Sequence, residues 1–331
     1  MSPLLPALFY PLLCAFGIWV FCIYSPQSGL APAIEKAIDS GFMPDGTPLI
    51  QKYTGHEWTD GLLVTLDAVF FPLTWKSNDG TIEHLQNLFA GVAVILTAML
   101  ADAYRPKSNF LFRWPSIWSQ AAQVISGAIL CPIYYLISAY FPPSGQPSVK
   151  AVAAIPYSIL VGAILPTIIA LAPGILPRDE HAHQIILAIW QLIPAYVSFV
   201  QVLLVYTPLS AIAHKPKNVS KYLGNVFLAL AIAAGALHFA TSVYYWKNLW
   251  DMYVPHFGNV GYRDGAKNLL IWDSICIHAA ALGYAVFKGR SFWAVGLMPV
   301  IGPAAVIAWL LAEAEFAEGK SLGKKDAASP T

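Results

Sequence analysis

Eight apolar segments, each long enough to cross a membrane, constrain the fold of this chain more than any other feature of its sequence. A membrane helix needs about 20 mostly apolar residues to cross a hydrocarbon core of roughly 30 Å. Because a helix satisfies its own backbone hydrogen bonds inside lipid, the sequence predicts an all-α, polytopic bundle of about eight transmembrane helices. The candidate segments are 3–25, 84–104, 115–140, 151–173, 185–212, 222–246, 268–288 and 291–312.

The scarcity of charge supports this prediction. Only 11% of the 331 residues are charged and 57% are hydrophobic, whereas a soluble domain would carry roughly 25% charged residues. The net charge of +1 provides no basic surface for nucleic acid. We therefore expect a multi-pass integral membrane protein that contacts membrane lipid, binds no nucleic acid and needs no obligate protein partner.

The first two segments are joined by the only long polar connection in the chain. Residues 26–83 carry clusters of Gly, Pro, Asp and Ser that are typical of turns. Within them, residues 60–75 are apolar but too short to span easily, which predicts an interfacial or re-entrant helix. We therefore predict a single transmembrane domain over 1–331, with 26–83 as a cap and 314–331 as a polar tail.

A single carboxylate, Asp273, lies inside the seventh segment. An ionised group inside a membrane costs several kcal/mol unless a partner or a water-filled cavity receives it, so such a residue indicates a functional site. His278, in the same segment, lies about 140° away around a helix and does not pair with Asp273. Asp273 must therefore find a partner on another helix.

Two other segments carry a polar or small-residue face at helical spacing. Because polar groups that face lipid are costly, both faces should point into the bundle, where they line a pocket or join helices by hydrogen bonds. The residues are Gln120, Gln123, Gly127, Cys131 and Tyr134 in the third segment, and Gln191, Pro194, Ser198 and Gln201 in the fifth.

Further titratable side chains lie in the short helix and in the sixth segment. Asp60 and Asp67 fall on one helical face. Either Asp60 is a solvated N-terminal residue and Asp67 caps or pairs locally, or this face brings a second acid to the mouth of a cavity. His238 is either a hydrogen-bonded structural residue or a catalytic base. The nearby Tyr244 and Tyr245 fit an interfacial belt or a binding site.

The sequence contains no recognisable metal or nucleophile motif. There is no G-x-S-x-G, H-E-x-x-H, Walker loop or G-x-G-x-x-G, and no N-D-x-x-D or D-D-x-x-D for magnesium-dependent diphosphate chemistry. The four cysteines form no C-x-x-C pair. We therefore expect neither a metal nor a cofactor.

Five stretches, taken in order, carry a family resemblance. They are Phe70–Gly80, Asp102–Asn109, Gln123–Tyr135, Ile189–Pro194 and Leu270–Asp273. In this order they resemble fungal integral-membrane terpene cyclases of meroterpenoid biosynthesis, of the ascofuranone and macrophorin type. The acid before the arginine is usually Glu in that family, whereas this chain has Asp102, and it carries an insertion between Phe71 and Gly80.

The resemblance implies a metal-independent cyclase in the endoplasmic reticulum that acts on a farnesylated aromatic. An acid would protonate an epoxide or olefin, and internal double bonds would attack the cation. This chemistry needs a carboxylic acid kept protonated by an apolar site, and aromatic rings whose faces stabilise the cation. The resemblance implies Asp273 and Asp102 as catalytic residues, and the residue pattern adds Asp67 and His238 as candidates. Asp273 is the expected general acid, oriented by Asp102, Gln123 or His238. The expected substrate-binding residues are Phe70, Phe71, Gln123, Tyr134, Tyr135, Trp190, Gln191, Tyr244 and Tyr245.

Two other functional classes fit the same residues. A proton-coupled transporter or a lipid-binding membrane protein could use Asp273 as a coupling or pairing residue. A sterol-isomerase-like enzyme would use two acids and a histidine as a metal-free proton shuttle. A cyclised isomer of unchanged mass would favour the cyclase, and vectorial uptake without chemical change would favour the transporter.

Overall fold

The structure is a computed structural model that describes residues 4–77, 79–172, 174–213, 215–258, 261–288 and 292–328, with side chains as far as residue 321. Within these ranges the secondary structure is helical, apart from one isolated β-bridge between Phe42 and Pro48. The predicted all-α fold class is therefore confirmed. The helices are α1 (Leu4–Gln27), α2 (Leu30–Ser40), α3 (Glu57–Thr74), α4 (Thr81–Ala103), α5 (Pro115–Ile125), α6 (Gly127–Tyr140), α7 (Val149–Leu171), α8 (Glu180–Trp190), α9 (Ile193–Tyr206), α10 (Val219–Tyr244), α11 (Leu249–Tyr253), α12 (Tyr262–Phe287), α13 (Phe292–Ile301) and α14 (Pro303–Ala328).

Five of the described helices are long and apolar enough to cross a membrane: α1, α4, α7, α10 and α12. The pair α8 and α9 passes the same test together, but it bends by 55° between its two halves. The third predicted segment is likewise divided, into α5 and α6. The number of eight spans therefore stays a prediction, whereas several membrane-length helices are present.

Prolines explain the irregular turns inside two of the long helices. A proline has no N–H group to give to the carbonyl four residues earlier, so a helix widens or bends there. Pro26 follows the π-helical turn Val20–Tyr24 in α1, and Pro166 follows the π-helical turn Leu160–Ile164 in α7.

Helix α4 lies at the centre of the bundle. The structure buries 78% of its most apolar stretch, more than in any other candidate span. It packs against α7, α10, α12 and α14, while α6 packs between α1 and α12. The two faces of α4 can therefore line different cavities.

The segment predicted as a cap contains α2 and α3. Helix α3 covers the apolar stretch 60–75 but begins earlier, at Glu57. Asp60 accepts hydrogen bonds from the backbone N–H groups of Tyr53, Thr54 and Gly55, at 2.7–3.1 Å. Asp60 is only 6% exposed, so its interpretation as a solvated residue is wrong: these three N–H groups hold it in place.

Asp67 lies about two turns after Asp60 on the same face of α3. It is only 1% exposed. Tyr53 donates a hydrogen bond to its Oδ2, while Oδ1 is buried without a hydrogen-bond partner among the described residues. Burial raises the pKa of Asp67 from 3.8 to about 8, and the hydrogen bond from Tyr53 opposes this rise only in part. Asp67 therefore holds a proton in the folded protein at neutral pH.

An ion-pair network ties the end of α4 to α14. Arg105 donates to Asp102 at 3.1 Å, to Glu318 at 3.3 Å and to Glu315. Arg105, Asp102 and Glu315 are all buried, at 4–6% exposure. The predicted polar tail is thus corrected at its start: residue 315 is buried because Arg105 neutralises it, and α14 continues to Ala328. Residues 329–331 lie outside the described part of the chain.

Removal of the arginine from this network should destabilise the fold. Arg105→Leu would leave buried carboxylates unpaired, which typically costs about 3–5 kcal/mol. We expect a clearly lower midpoint of thermal denaturation in detergent. Lys107→Leu, at an exposed position two residues away, should leave the midpoint within experimental error. Equal midpoints for the two variants would contradict a structural role for the network.

Asp67 should make stability depend on pH. The folded protein holds this proton up to a pKa of about 8, whereas the unfolded chain releases it near 3.8. The unfolding free energy therefore falls as pH rises between these two values. Asp67→Asn removes this dependence, so its denaturation midpoint should exceed that of the wild type by a margin that grows up to pH 8. The exposed Asp39→Asn is the control, and a margin that does not change with pH would refute the prediction.

Candidate active site

A cavity lies beside α4, and the side chain of Asp273 forms part of its wall. Residues from α3, α4, α5, α6, α9 and α12 line it. Apart from Asp273 its walls are mostly apolar and aromatic, as in most small-molecule sites. The stripe predicted on the third segment contributes Gln123, Gly127, Cys131 and Tyr134, so the prediction that this face points into the bundle is confirmed.

Two donors from one short stretch hold one oxygen of Asp273. The Ser126 hydroxyl and the Ala128 backbone N–H each donate to Oδ1 at 2.7 Å. The Ala128 N–H also approaches the Ser126 Oγ, at 3.0 Å. The expectation that Asp102, Gln123 or His238 would orient Asp273 is therefore wrong, because the N-terminus of α6 does so.

This arrangement depends on a break in the third predicted segment. Ser126 has φ 122° and ψ 140°, a conformation rare for a residue with a side chain, and it separates α5 from α6. The break exposes the first N–H groups of α6, which attract a carboxylate together with the helix dipole. Residues held in such conformations are concentrated at functional sites.

The close approach of α6 to α12 requires a glycine. A Cβ atom at Gly127 would collide with the side chain of Ile277 and lie 3.6 Å from Asp273 Oδ2. Ser126-Gly127 is also a dipeptide that marks turns, so the break had a signal within the apolar segment. Our sequence analysis used Gly127 only as a small residue and missed Ser126.

The second oxygen of Asp273 faces a different environment. Among the described residues it has no hydrogen-bond partner, and the side chain lines the cavity. A proton on this carboxyl group belongs on Oδ2, since Oδ1 already accepts two hydrogen bonds. Oδ2 is therefore the atom from which Asp273 can give a proton to a ligand in the cavity.

Aromatic rings form much of the remaining wall. Phe70, Phe89, Trp118, Tyr134 and Tyr135 all line the cavity. Trp118 and Tyr134 meet edge to face at 5.6 Å, and Tyr134 and Tyr135 do so at 5.3 Å. The Tyr134 hydroxyl is buried without a hydrogen-bond partner in the described structure. Phe89 and Trp118 were not predicted, because an aromatic residue in an apolar segment carries no distinguishing signal.

Asp102 lies outside the residues that line this cavity. Both of its oxygens are occupied: Oδ1 accepts from Arg105 at 3.1 Å, and Oδ2 accepts from the Tyr284 hydroxyl at 2.9 Å. The ring of Tyr284 packs against Tyr135 at 4.8 Å. Asp102 therefore reaches the cavity wall only through two tyrosine rings.

Two other predicted catalytic residues lie elsewhere. His238 lines a second cavity, which shares Leu88 of α4 with the first, and there its ring contacts the Tyr253 hydroxyl at 3.3 Å. Asp67 of α3 accepts a hydrogen bond from Tyr53, which precedes that helix, and it lines neither cavity. The fold therefore brings neither His238 nor Asp67 to Asp273.

The predicted binding residues divide in the same way. Phe70, Gln123, Tyr134 and Tyr135 line the cavity, whereas the others are placed behind it or away from it. Those others are Trp190, which packs on Phe70 and Phe89; Gln191, which is buried with its amide unpartnered among the described residues; Phe71, which packs on Trp75 and His183; Tyr245, which donates to Glu83; and Tyr244, which is 80% exposed.

Within the described chain, no group of three or more His, Cys, Asp or Glu residues has the geometry to hold a metal ion. The cavity instead combines one carboxyl group with apolar and aromatic walls. Such a site can donate a proton to a bound apolar molecule and face the resulting cation with aromatic rings.

Comparisons with known proteins agree with the resemblance seen in the sequence. Terpene cyclase ascI of Acremonium egyptiacum is 25% identical over 312 residues, which cover 86% of this chain and 78% of that protein. Terpene cyclase ctvD of Aspergillus terreus is 28% identical over 148 residues, or 42% of each chain. Terpene cyclase alnG of Emericella nidulans is 25% identical over 192 residues, which cover 53% of this chain and 49% of that protein.

No solved structure matches the chain. The family model described as the CtvD domain matches residues 6–313, which include the described helices from α1 into α14 and both sides of the Asp273 site. The chain therefore belongs to the CtvD-domain family.

Proposed function

We propose that this protein is a membrane-bound terpene cyclase that protonates an epoxide or olefin of a farnesylated aromatic substrate and cyclises it. The observation that carries the proposal is the carboxyl group of Asp273, held on Oδ1 by Ser126 and Ala128, with Oδ2 toward an aromatic cavity. The relatives named terpene cyclase support the reaction class.

Asp273 is the proposed general acid. Donation from Oδ2 to an epoxide oxygen or to an olefin carbon leaves a carboxylate, and the two hydrogen bonds to Oδ1 and the N-terminus of α6 stabilise this new charge. Donors placed where charge develops lower the barrier of the step, because they need no reorganisation during it. The two donors therefore assist proton release.

The cation then reacts inside the substrate. As the carbon–oxygen bond of a protonated epoxide breaks, an internal double bond attacks the carbon, and the cascade ends when a proton leaves. The product is thus an isomer of the substrate. Rings such as Phe89, Trp118 and Tyr134 present faces or edges to this volume, and a desolvated cation–π contact is worth about 2 kcal/mol or more.

An apolar groove offers the proposed route for a lipid-soluble substrate. The groove shares Phe89, Val92 and Ile193 with the wall of the Asp273 cavity. Ile168 and Ile175, on its outer side, are 41% and 59% exposed. A prenyl chain could pass from lipid into the cavity without contact with water.

The membrane location also belongs to the proposal. Five membrane-length helices and many exposed apolar side chains support an integral membrane protein. We place it in the endoplasmic reticulum, with eight spans and residues 26–83 as a cap over the bundle. Asp102 is proposed to support the tyrosine wall through Tyr284, rather than to touch the substrate.

A transporter, a lipid-binding protein and a sterol-isomerase-like enzyme are the competing functions. The bent pair α8 and α9 is a feature that broken-helix transporters also have. Membranes incubated with a farnesylated phenol, or with its terminal epoxide, separate these functions. The proposal requires a cyclised isomer of unchanged mass, and uptake without chemical change would overturn it.

The substitution Asp273→Asn tests the proposed acid. The amide keeps an oxygen for Ser126 and Ala128, but its N–H groups are not acidic enough to transfer a proton, so turnover should fall about 100- to 10,000-fold. The matched control, Asp251→Asn, changes an acid that is 63% exposed and should leave turnover unchanged. Product formation within a few-fold of wild type in microsomes that contain Asp273→Asn would rule out this assignment.

The substitution Ser126→Ala tests stabilisation of the carboxylate. Loss of a hydrogen bond to a charged group should reduce kcat about 10- to 100-fold, while the KM for the epoxide changes little. Ser119→Ala is the matched control, because Ser119 lines the same cavity but donates to Pro115 and not to Asp273. Equal kcat values for the two variants, at equal amounts of folded protein, would contradict the role of Ser126.

A further inference from the structure

The C-terminal ends of three helices meet where α4 stops. Arg105, two residues after α4, donates to Glu318 of α14 at 3.3 Å. Asp102, in the last turn of α4, accepts a hydrogen bond from the hydroxyl of Tyr284, near the end of α12. The ends of α4, α12 and α14 therefore lie at one end of the bundle.

Three further helices begin or end at the same place. The Ser148 N–H, one residue before α7, donates to the Tyr104 carbonyl at 3.3 Å. Tyr104 lines a surface cleft together with Tyr206, the last residue of α9. A Cβ atom at Gly319 of α14 would lie 3.1 Å from Cβ of Ser220, in the first turn of α10. The starts of α7 and α10 and the end of α9 therefore belong to this end too.

Helices α5 and α6 form a hairpin whose two ends lie there as well. Arg113 and Pro115, at the start of α5, line the same cleft as Arg105. Arg105 also donates to the carbonyl of Gly145, five residues after α6, at 2.9 Å. Because α5 and α6 pack against each other, the third predicted segment turns back at Ser126 and does not cross the bundle.

Charge is distributed unequally between the two ends of the bundle. We define the basic end by residues 102–114, 140–150, 215–221, 288 and 313–321, which include nine basic and four acidic residues. The acidic end comprises residues 28–77, 79–83, 174–184, 245–258 and 261–267, with seven basic and twelve acidic residues. The formal charge is therefore +5 at the basic end and −5 at the acidic end, although the net charge of the chain is only +1.

Ion pairs neutralise much of the positive charge at the acidic end but little of it at the basic end. At the acidic end, Arg263 pairs with Asp79 at 2.9 Å and Lys76 pairs with Glu180 at 3.6 Å. The basic end thus presents unpaired positive charge to its surroundings. Its exposed cations, none of which makes an ion pair with a described residue, include Lys107, Arg113, Lys150, Lys217, Lys221 and Lys320.

Exposed aromatic rings accompany these cations. Phe110, Trp114 and Tyr206 are 69%, 60% and 71% exposed. Trp and Tyr side chains are concentrated at membrane–water interfaces, where the ring contacts apolar chains and its polar group meets the headgroups. The basic end therefore has the composition of a surface at the level of lipid headgroups.

The surface cleft at the basic end has room for donors to one headgroup. Arg113, Ser116 and Ser198 line it, all three side chains are at least partly exposed, and none makes a hydrogen bond with a described residue. Arg105 also lines the cleft, but three carboxylates already neutralise it. A guanidinium group and two hydroxyl groups are donors that suit a phosphate.

We propose that the basic end is an interaction surface for anionic phospholipids of the cytoplasmic leaflet, with the phosphate of one headgroup bound in the Arg113 cleft. The cytoplasmic leaflet carries the anionic lipids, and short connections rich in Lys and Arg stay on the cytoplasmic side. The acidic end therefore faces the lumen. The inference rests on the proposed membrane location and not on the cyclase reaction, because charge and contacts define it.

Cysteine labelling tests the orientation. Lys217→Cys at the basic end and Lys52→Cys at the acidic end are a matched pair of exposed positions. A membrane-impermeant maleimide, added to sealed microsomes whose cytoplasmic face is outward, should label Lys217→Cys directly and Lys52→Cys only after detergent. The wild type reports the background from the native cysteines, which are free. The reverse pattern, or equal labelling of both variants in sealed microsomes, would overturn the proposal.

Thermal denaturation in detergent tests the lipid partner. A short-chain phosphatidylserine should raise the denaturation midpoint, because a ligand that binds only the folded protein stabilises it. The matching phosphatidylcholine should raise the midpoint much less, and inorganic phosphate should not raise it. The effect of phosphatidylserine should shrink in about 1 M salt, which screens exposed charges. Equal effects of the two lipids, or an equal effect of phosphate alone, would contradict a surface for anionic lipid.

The substitution Arg113→Gln tests the cleft. Loss of a hydrogen bond between charged groups should weaken the binding of phosphatidylserine about tenfold or more. Lys247→Gln, which removes an exposed cation at the acidic end, is the matched control and should leave binding unchanged. Equal affinities of the two variants would rule out the cleft as the headgroup site. No product is measured in these assays, so failure of the lipid surface and failure of the cyclase proposal are separate results.

Discussion

The hydrogen bonds from Ser126 and Ala128 to one oxygen of Asp273 are the interaction on which the rest of the site depends. A carboxyl group inside an apolar bundle needs hydrogen-bond donors. Here they lie at the N-terminus of a helix that begins within the bundle. Because α6 begins at Gly127, its first N–H groups are available to α12. The same break leaves the other oxygen directed at an aromatic cavity. Anchoring and exposure of the acid are thus consequences of one irregular residue, Ser126.

The central helix α4 divides the bundle into two chemical environments. It contributes Val92 and Met99 to the cavity that contains Asp273, His84 and Asn87 to the cavity that is lined by three histidines, and Leu88 to both. Helix α12 likewise contributes to both cavities: Asp273 and Ile277 line the first, and Ser274 and His278 line the second. The buried Arg105 network fixes the end of α4 against α14 and so holds both walls in place.

Much of the first site could be predicted from the sequence. Helical spacing alone identified Gln123, Gly127, Cys131 and Tyr134 as one inward face, and the cost of a charge in lipid identified Asp273. The partner of Asp273 could not be predicted from side-chain types, because one donor is a backbone N–H that exists only where a helix begins. Asp102 and His238 were expected near Asp273, but Asp102 is held by Arg105 and Tyr284, and His238 lines another cavity. A sequence does not reveal which polar groups of different helices meet. Phe89 and Trp118 were missed because an aromatic residue on the inner face of an apolar helix resembles any other.

The most direct test of Asp273 as the proton donor is an experimental structure of the Asp273→Asn variant with an epoxidised farnesyl phenol bound. The epoxide oxygen should lie within hydrogen-bond distance, about 3 Å, of the side-chain atom that replaces Oδ2. Ser126 and Ala128 should still donate to the amide oxygen of the substituted side chain, and the prenyl chain should lie among Phe89, Trp118 and Tyr134. An epoxide bound beside Asp102, or in the cavity that contains His238, would contradict the account.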